Sequence, residues 1–399
     1  MLRLIDVNSL LGHYKFEFIY AENGHEAPKY AVACCVRGRP DAHGVWAHEE
    51  DDFTYEKCCR FVYKDIHPHE QPAFRKVLEA CKNAKKLDCD YIWIDYCCID
   101  QSDPEDVAWS INSRYQWYAE AEICLVYLPD SWAGRYPRDR MMDEQNECCC
   151  KWWLQSWTVP VILGSRELVF YDREWAQIGV FRKRPLSRRL TLDHFEEGIE
   201  DITQIAPGAL LGSVSLSEYS VATKLSWASG PGPYGDETGE DVAYSVMGIF
   251  GVRMAPNYGE GQTAAFYRLA AEIMKSTRDL SILAWHDEGA SPGDGPCGAL
   301  PRDPEWQLYY HEVPRMPTEH PFLMTDRGIF VTARLYPVKL AQGEGYFMCL
   351  KDNGKTGKSA GIHLRPVGDD IFQREGRQVI DLDISPMQTP ALSTFYIAL

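Results

Sequence analysis

The sequence predicts an α/β protein with a parallel-sheet N-terminal region, a helical middle region and an antiparallel β-rich C-terminal region. Three observations carry this reading. Uniformly apolar runs alternate with helical patterns between residues 30 and 128. Amphipathic helical segments follow beyond Gly164. After a Gly/Pro-rich connection, the chain breaks into short alternating stretches. At 399 residues the chain exceeds one compact core. The expected division is 1–165 for the α/β core, 166–290 for a helical extension and 291–399 for a β-rich domain.

In order, Tyr30–Cys35 (YAVACC) reads as a buried strand, because small and β-branched residues crowd it without polar alternation. Pro72–Lys86 places Phe74, Val77, Leu78 and Cys81 at helical spacing and ends on lysines suited to a helix C-terminus. Tyr91–Asp100 (YIWIDYCCID) is a second apolar run. Asp106–Ala121 reads as a helix and Ile123–Leu128 (ICLVYL) as a third buried strand. Farther on, LVFYDREWAQIG reads as a strand and turn, and Val214–Trp227, Glu240–Ile249 and Thr263–Lys275 read as helices. Asp287–Pro304 is the Gly/Pro-rich boundary. The runs FLMTDRGIFVTARLY, GYFMCLK, AGIHLRPV and TFYIAL, with turn residues such as Asn353-Gly354 between them, form the β unit.

Composition narrows the function. Lys and Arg total 41 against 58 Asp and Glu, a net charge of -17 that repels a phosphate backbone and argues against nucleic acid. No apolar run approaches the ~20 residues of a membrane span. The start, MLRLIDVNSLLGHYKFEF, lacks a signal-peptide pattern, so a soluble, cytoplasmic protein is expected. The 14 cysteines fall largely into adjacent groups, Cys34-Cys35, Cys58-Cys59, Cys97-Cys98 and Cys148-Cys149-Cys150. Neighbours on a strand point to opposite faces, and no C-x-x-C spacing occurs, so reduced, buried thiols are expected rather than a zinc knuckle. His43, His48, His67 and His69, with Glu49, Glu50, Asp51 and Asp52, lie in a polar stretch without spacing that would converge them, and no metal is expected. Gly230–Gly235 (GPGPYG) satisfies G-x-G-x-x-G but follows a helical run and holds two prolines, so it reads as a loop.

Several runs together resemble the heterokaryon-incompatibility (HET) domain family of filamentous fungi. They are YAVACCVRG, DYIWIDYCCIDQSDPEDVAWSINSRYQWYAEAEICLVYLPD, WLQSWTVPVILGSRELVFYDREWAQIG, LSWASG, EDVAYSVMGIFGVRMAPNYGEG, AFYRLAAEIMKSTRDLSILAW and MTDRGIFVT, in the family's order. The resemblance implies an N-terminal domain similar to the Toll/interleukin-receptor (TIR) fold. It also implies a role in coupling non-self recognition to cell death, through a cleft that in related proteins hydrolyses NAD. Such a reaction needs a carboxylate against the developing ribosyl cation.

The family's first motif reads roughly A-I-L-S-H-T-W-G; the positions matching Ser, His and Trp are here Cys34, Cys35 and Arg37. The third motif reads R-G-W-T-L-Q-E; counting on from Trp157, the acid's place is taken by Val161, and Pro160 before it is expected to disturb or end the helix there. The second motif is kept: Asp95, Asp100 and Gln101 match I-D-x-x-C-I-D-Q at a strand end, where α/β sheets place their sites. Asp100 could equally cap the next helix or pair with Arg114. A thiol nucleophile at Cys34 or Cys35 would need a base and a lowered pKa, which Arg37 could favour.

Three functions follow. NAD hydrolysis is disfavoured by the missing acid. A catalytically silent HET protein could signal or scaffold through a protein partner or homo-oligomer. In the third reading, which the losses concentrated at the cleft favour narrowly, the emptied cleft folds a hydrophobic terpenoid or polyketide of fungal secondary metabolism. It would carry out a cofactor-free intramolecular cyclisation, a cycloaddition of Diels–Alder type. Arg37, Tyr96 and Asp95 would then polarise the substrate, and Cys34, Cys35, Trp157, Val161 and Asp100 would line its site.

Overall fold

The computed structural model describes residues 1–21, 27–35, 52–61, 72–131, 150–185, 191–228, 239–285, 296–300, 313–320, 322–340, 343–351, 358–384 and 387–399. They fall into two compact units, Met1–Val214 and Ser215–Leu399. Arg37, the four histidines 43, 48, 67 and 69, the acids 49–51, the GPGPYG stretch and the Asn353-Gly354 turn lie outside the described residues.

The first unit is built on a mixed sheet of β1 (Leu2–Asp6), β2 (Phe18–Ala21), β3 (Tyr30–Cys35), β4 (Tyr91–Ile94), β5 (Ile123–Tyr127), β6 (Glu167–Tyr171) and β7 (Gln177–Arg182). Their order is β2-β1-β4-β3-β5-β6-β7. The pairs β3–β4, β3–β5 and β5–β6 are parallel, and the outer pairs are antiparallel. Every residue of β3 is buried, as a central strand covered on both faces requires. Up to β5 the described helices are α1 (Val7–His13), α2 (Tyr55–Arg60), α3 (Pro72–Lys86), α4 (Asp95–Cys98) and α5 (Pro104–Glu120), and a further helix, Thr158–Gly164, precedes β6.

Two local differences from the sequence reading have clear causes. The apolar run Tyr91–Asp100 is a strand only to Ile94; Asp95 then turns the chain, accepting from the Tyr96 N–H through Oδ1 at 2.8 Å and from Ile99 N–H through its carbonyl at 3.0 Å. Helix α5 begins at Pro104, ahead of Asp106, because the Asp103 side chain caps it by accepting from Glu105 N–H at 2.9 Å and proline suits the first helical position.

In the second unit, helices Val221–Ala228, Gly239–Phe250 and Gln262–Ser276 precede a sheet of seven strands. The helix expected from Val214 starts only at Val221, and Leu216–Glu218 is a separate 3-10 turn capped by Ser215. The strands are β8 (Pro296–Cys297), β9 (Leu323–Thr325), β10 (Gly328–Leu340), β11 (Gly343–Lys351), β12 (Ser359–Pro366), β13 (Ile371–Leu382) and β14 (Leu392–Ile397). The 13-residue β10 pairs with β14 through Ile329–Arg334 and with β11 through Leu335–Leu340, which closes the sheet on itself. One contact departs from the expected antiparallel pattern: β13 and β14 run parallel at Ile371–Tyr396 and Phe372–Ile397.

Candidate functional site at the C-terminal ends of the parallel strands

Strand β3 sits at the centre, its successor β4 lies on one side and β5 on the other, so the chain reverses direction across β3. In open α/β sheets ligands bind at the C-terminal ends of strands flanking such a reversal. Here that edge carries Cys34, Cys35, Asp95 and Tyr96.

Cys34 and Cys35 are both buried and point to opposite faces. The Cys34 Sγ lies 3.5 Å from Cys124 Sγ on β5. That contact and burial push the Cys34 thiol well up. Cys35, on the other face, is pushed up to about 12 by burial. A nucleophile needs the opposite shift, so both thiols act as small apolar groups at neutral pH.

On the face of Cys35 lies a charged pair that the sequence reading missed. Lys76 Nζ stands 3.2 Å from Asp52 Oδ1, and both side chains are buried. The ammonium also lies 5.1 Å above the Tyr96 ring, and that phenol is itself buried and pushed far above its ordinary value by desolvation. Both Lys76 and Asp52 act electrostatically on Cys35, and Asp95 acts on Cys34, Cys35 and Tyr96. Asp95 itself is half-buried. These residues are therefore one neighbourhood. No local signal marked Lys76, because a lysine beside Val77 on a helix ordinarily reaches solvent.

Asp100 has a different surrounding. Its carboxylate accepts from Ser102 N–H at 3.0 Å and Ser102 Oγ–H at 2.6 Å, which lowers its pKa. Its own N–H donates to Asp106 Oδ2, which also pairs with Arg3 at 3.0 Å. Neither anticipated structural role holds: the helix cap is Asp103, and the carboxylate's partner is Ser102 rather than Arg114.

The stretch Lys151–Gly164 packs on β6. Trp152 and Trp153 are buried, with Trp153 stacked on Phe170 at 5.6 Å and Trp152 edge-on to it at 5.9 Å. Trp157 is half-buried and meets Trp152 edge-on at 5.9 Å. The Thr158 hydroxyl donates to the Trp152 carbonyl and fixes the turn into helix Thr158–Gly164. Pro160 does not disturb that helix. It stands in the first turn, where a backbone N–H has no helical acceptor and its loss costs nothing. Val161 is 0% exposed. The helix ends on Gly164, where a Cβ would come 3.0 Å from Tyr118 Cβ and 3.3 Å from the Tyr115 carbonyl, so glycine sets how closely it meets α5.

Other runs quoted for the resemblance are structural in the second unit. Buried Glu240 accepts from Gly259 and Gly261 N–H at 3.1 and 2.9 Å, and Glu260 accepts from Tyr244 Oη and pairs with Arg268. Both glycines have positive φ, 95° and 85°, so the YGEG loop needs them there. Asp279 is buried and accepts from Val221, Ser281 and Met316 N–H. Among the described residues no group of three or more His, Cys, Asp or Glu side chains stands ready for a metal ion, and no helix is long and apolar enough to cross a membrane.

Comparison with known proteins agrees with the resemblance. The family model "Heterokaryon incompatibility protein (HET)" matches residues 45–190. Over 242 residues, 60% of this chain, the sequence is 30% identical to vegetative incompatibility protein HET-E-1 of Podospora anserina. The chain spans only 16% of that relative's length. No solved structure matches. Residues 45–190 are therefore similar to the HET domain, and the shared identity extends that similarity over 60% of the chain.

Proposed function

We propose that this chain is an incompatibility-type module that acts through contact with a protein partner and not through turnover of a small molecule. The observation that carries this reading is the occupancy of the cleft edge by mutually engaged groups. Lys76 is paired with Asp52, Tyr96 lies beneath the ammonium, Cys34 meets Cys124, and a buried Val161 stands where the family resemblance puts an acid. With Val161 in the place where the family resemblance puts the acid, that position offers no charge partner for glycosidic cleavage of NAD. The reading takes the first unit as TIR-like, supported by its central β3 and the reversal of chain direction between β4 and β5. The relative's name, a vegetative incompatibility protein, supports the biological setting.

The test is expression in a filamentous fungus combined with an in vitro assay. Purified protein incubated with NAD is expected to release no nicotinamide, and the growth defect caused by expression is expected to survive Asp95→Asn. Nicotinamide release that disappears in Asp95→Ala would sink the proposal.

A second reading keeps the site but changes its use. Cys34 and Cys35 are uncharged groups that feel one half-buried carboxylate, Asp95, a composition suited to a shape-defining site for a terpenoid or polyketide undergoing intramolecular cycloaddition. It requires a linear polyene terpenoid to raise the melting temperature of the wild-type protein and not of Asp95→Asn. No shift in either protein removes it.

A further inference from the structure

Helix α2 carries adjacent cysteines, and so does α4. Cys59 is exposed, whereas Cys58 is the one buried side chain of α2. Beneath it lies Cys97, fully buried on α4. Both thiols converge on the Phe53 carbonyl, Cys97 Sγ at 3.0 Å and Cys58 Sγ at 3.7 Å, and Cys58 acts on Cys97 electrostatically. This six-residue helix buries only Cys58 and is otherwise held through Tyr55, which meets Phe18 and the Arg3 guanidinium, so it opens locally at less cost than the longer helices of the unit. That opening is what gives an oxidant access to an otherwise enclosed pair.

We propose that Cys58 and Cys97 form a reversible disulfide that locks α2 onto α4. The oxidant is a peroxide. On opening, Cys58 Sγ attacks one oxygen of hydrogen peroxide, the O–O bond breaks, and the first water leaves with a sulfenic acid on Cys58. On reclosure, Cys97 Sγ displaces that hydroxyl as the second water and the S–S bond forms. Two thiols and one peroxide thus give one disulfide and two waters. The Cys97 proton leaves with the displaced hydroxyl as water; because burial raises the Cys97 thiol, this closing step is the slower of the two.

The lock acts beside the edge described above. Asp95 and Tyr96 form the first turn of α4, so fixing the end of that helix fixes the backbone that presents them. Oxidation also removes both S–H donors from the Phe53 carbonyl, next to Asp52 of the buried ion pair. The inference does not depend on whether the edge binds a protein or a small molecule.

The experiment uses the full chain with Cys59→Ser, which removes the exposed neighbour. After hydrogen peroxide treatment, peptide mapping without reductant is expected to yield one linked peptide joining Cys58 to Cys97, released by dithiothreitol. Amide exchange over Tyr55–Arg60 is expected to slow at least ten-fold in the oxidised form. With Cys97→Ser added, peroxide should leave that exchange unchanged. The proposal fails if Cys58 and Cys97 stay open to alkylation after oxidation, if either pairs with another cysteine, or if the protection persists in the Cys97→Ser protein.

Discussion

At the end of β4 a lysine, an aspartate, a tyrosine and a half-buried acid share the interior, whereas Lys151–Gly164 covers the same sheet with three tryptophans and an apolar helix. The first arrangement is exacting, since a buried charge is tolerated only while its partner stands in place. The second is forgiving of detail but large in area, since aromatic burial scales with surface and not with pairing. The difference teaches where each will break.

The largest effect is expected in the aromatic region. Trp153→Ala removes a fully packed ring from Phe170 and should lower unfolding free energy by about 4 kcal/mol in denaturant titration. Somewhat smaller is the charged region: Lys76→Met takes the ammonium from the buried Asp52 carboxylate and should cost about 3 kcal/mol, while Lys76→Met with Asp52→Leu should recover most of that loss. A double variant no better than the single one would show that the pairing is not what holds this edge.

The smallest effect lies at Asp100. Its folded pKa is depressed by Ser102, so its contribution is present above the ordinary carboxylate pKa and fades as pH falls through the lowered value. Ser102→Ala should therefore cost about 0.5 kcal/mol at neutral pH, with the difference from wild type vanishing in acid.

Much of the first sheet was legible because β3, β4 and β5 are short apolar runs separated by helical patterns, and such runs announce burial on both faces. Their ends were not. YIWI and DYCC have the same apolar density, and only the Asp95 carboxylate accepting a backbone proton separates strand from helical turn. The N-terminal strands went unread: β1 is joined to β2 across helix α1 and to β4, a partner far along the chain. At the candidate edge, Cys34, Cys35, Asp95 and Tyr96 do share one neighbourhood. The Lys76–Asp52 pair was invisible because its members are 24 residues apart and each looks like an ordinary surface charge. Pro160 misled for the opposite reason: a residue that breaks helix interiors is harmless in a first turn, and its position in the turn is not written in its identity.

Asp279 carries a consequence for the order of folding. Its carboxylate accepts hydrogen bonds from the N–H groups of Val221, Ser281 and Met316, which lie 58, 2 and 37 residues away along the chain. Until the distant segments arrive, the carboxylate keeps its water, and removing that water early would be uphill. The start of helix Val221–Ala228, the Leu280–Leu283 turn and the chain around Met316 therefore gain their shared hydrogen bonds in one late, cooperative step, after the loops between them have closed.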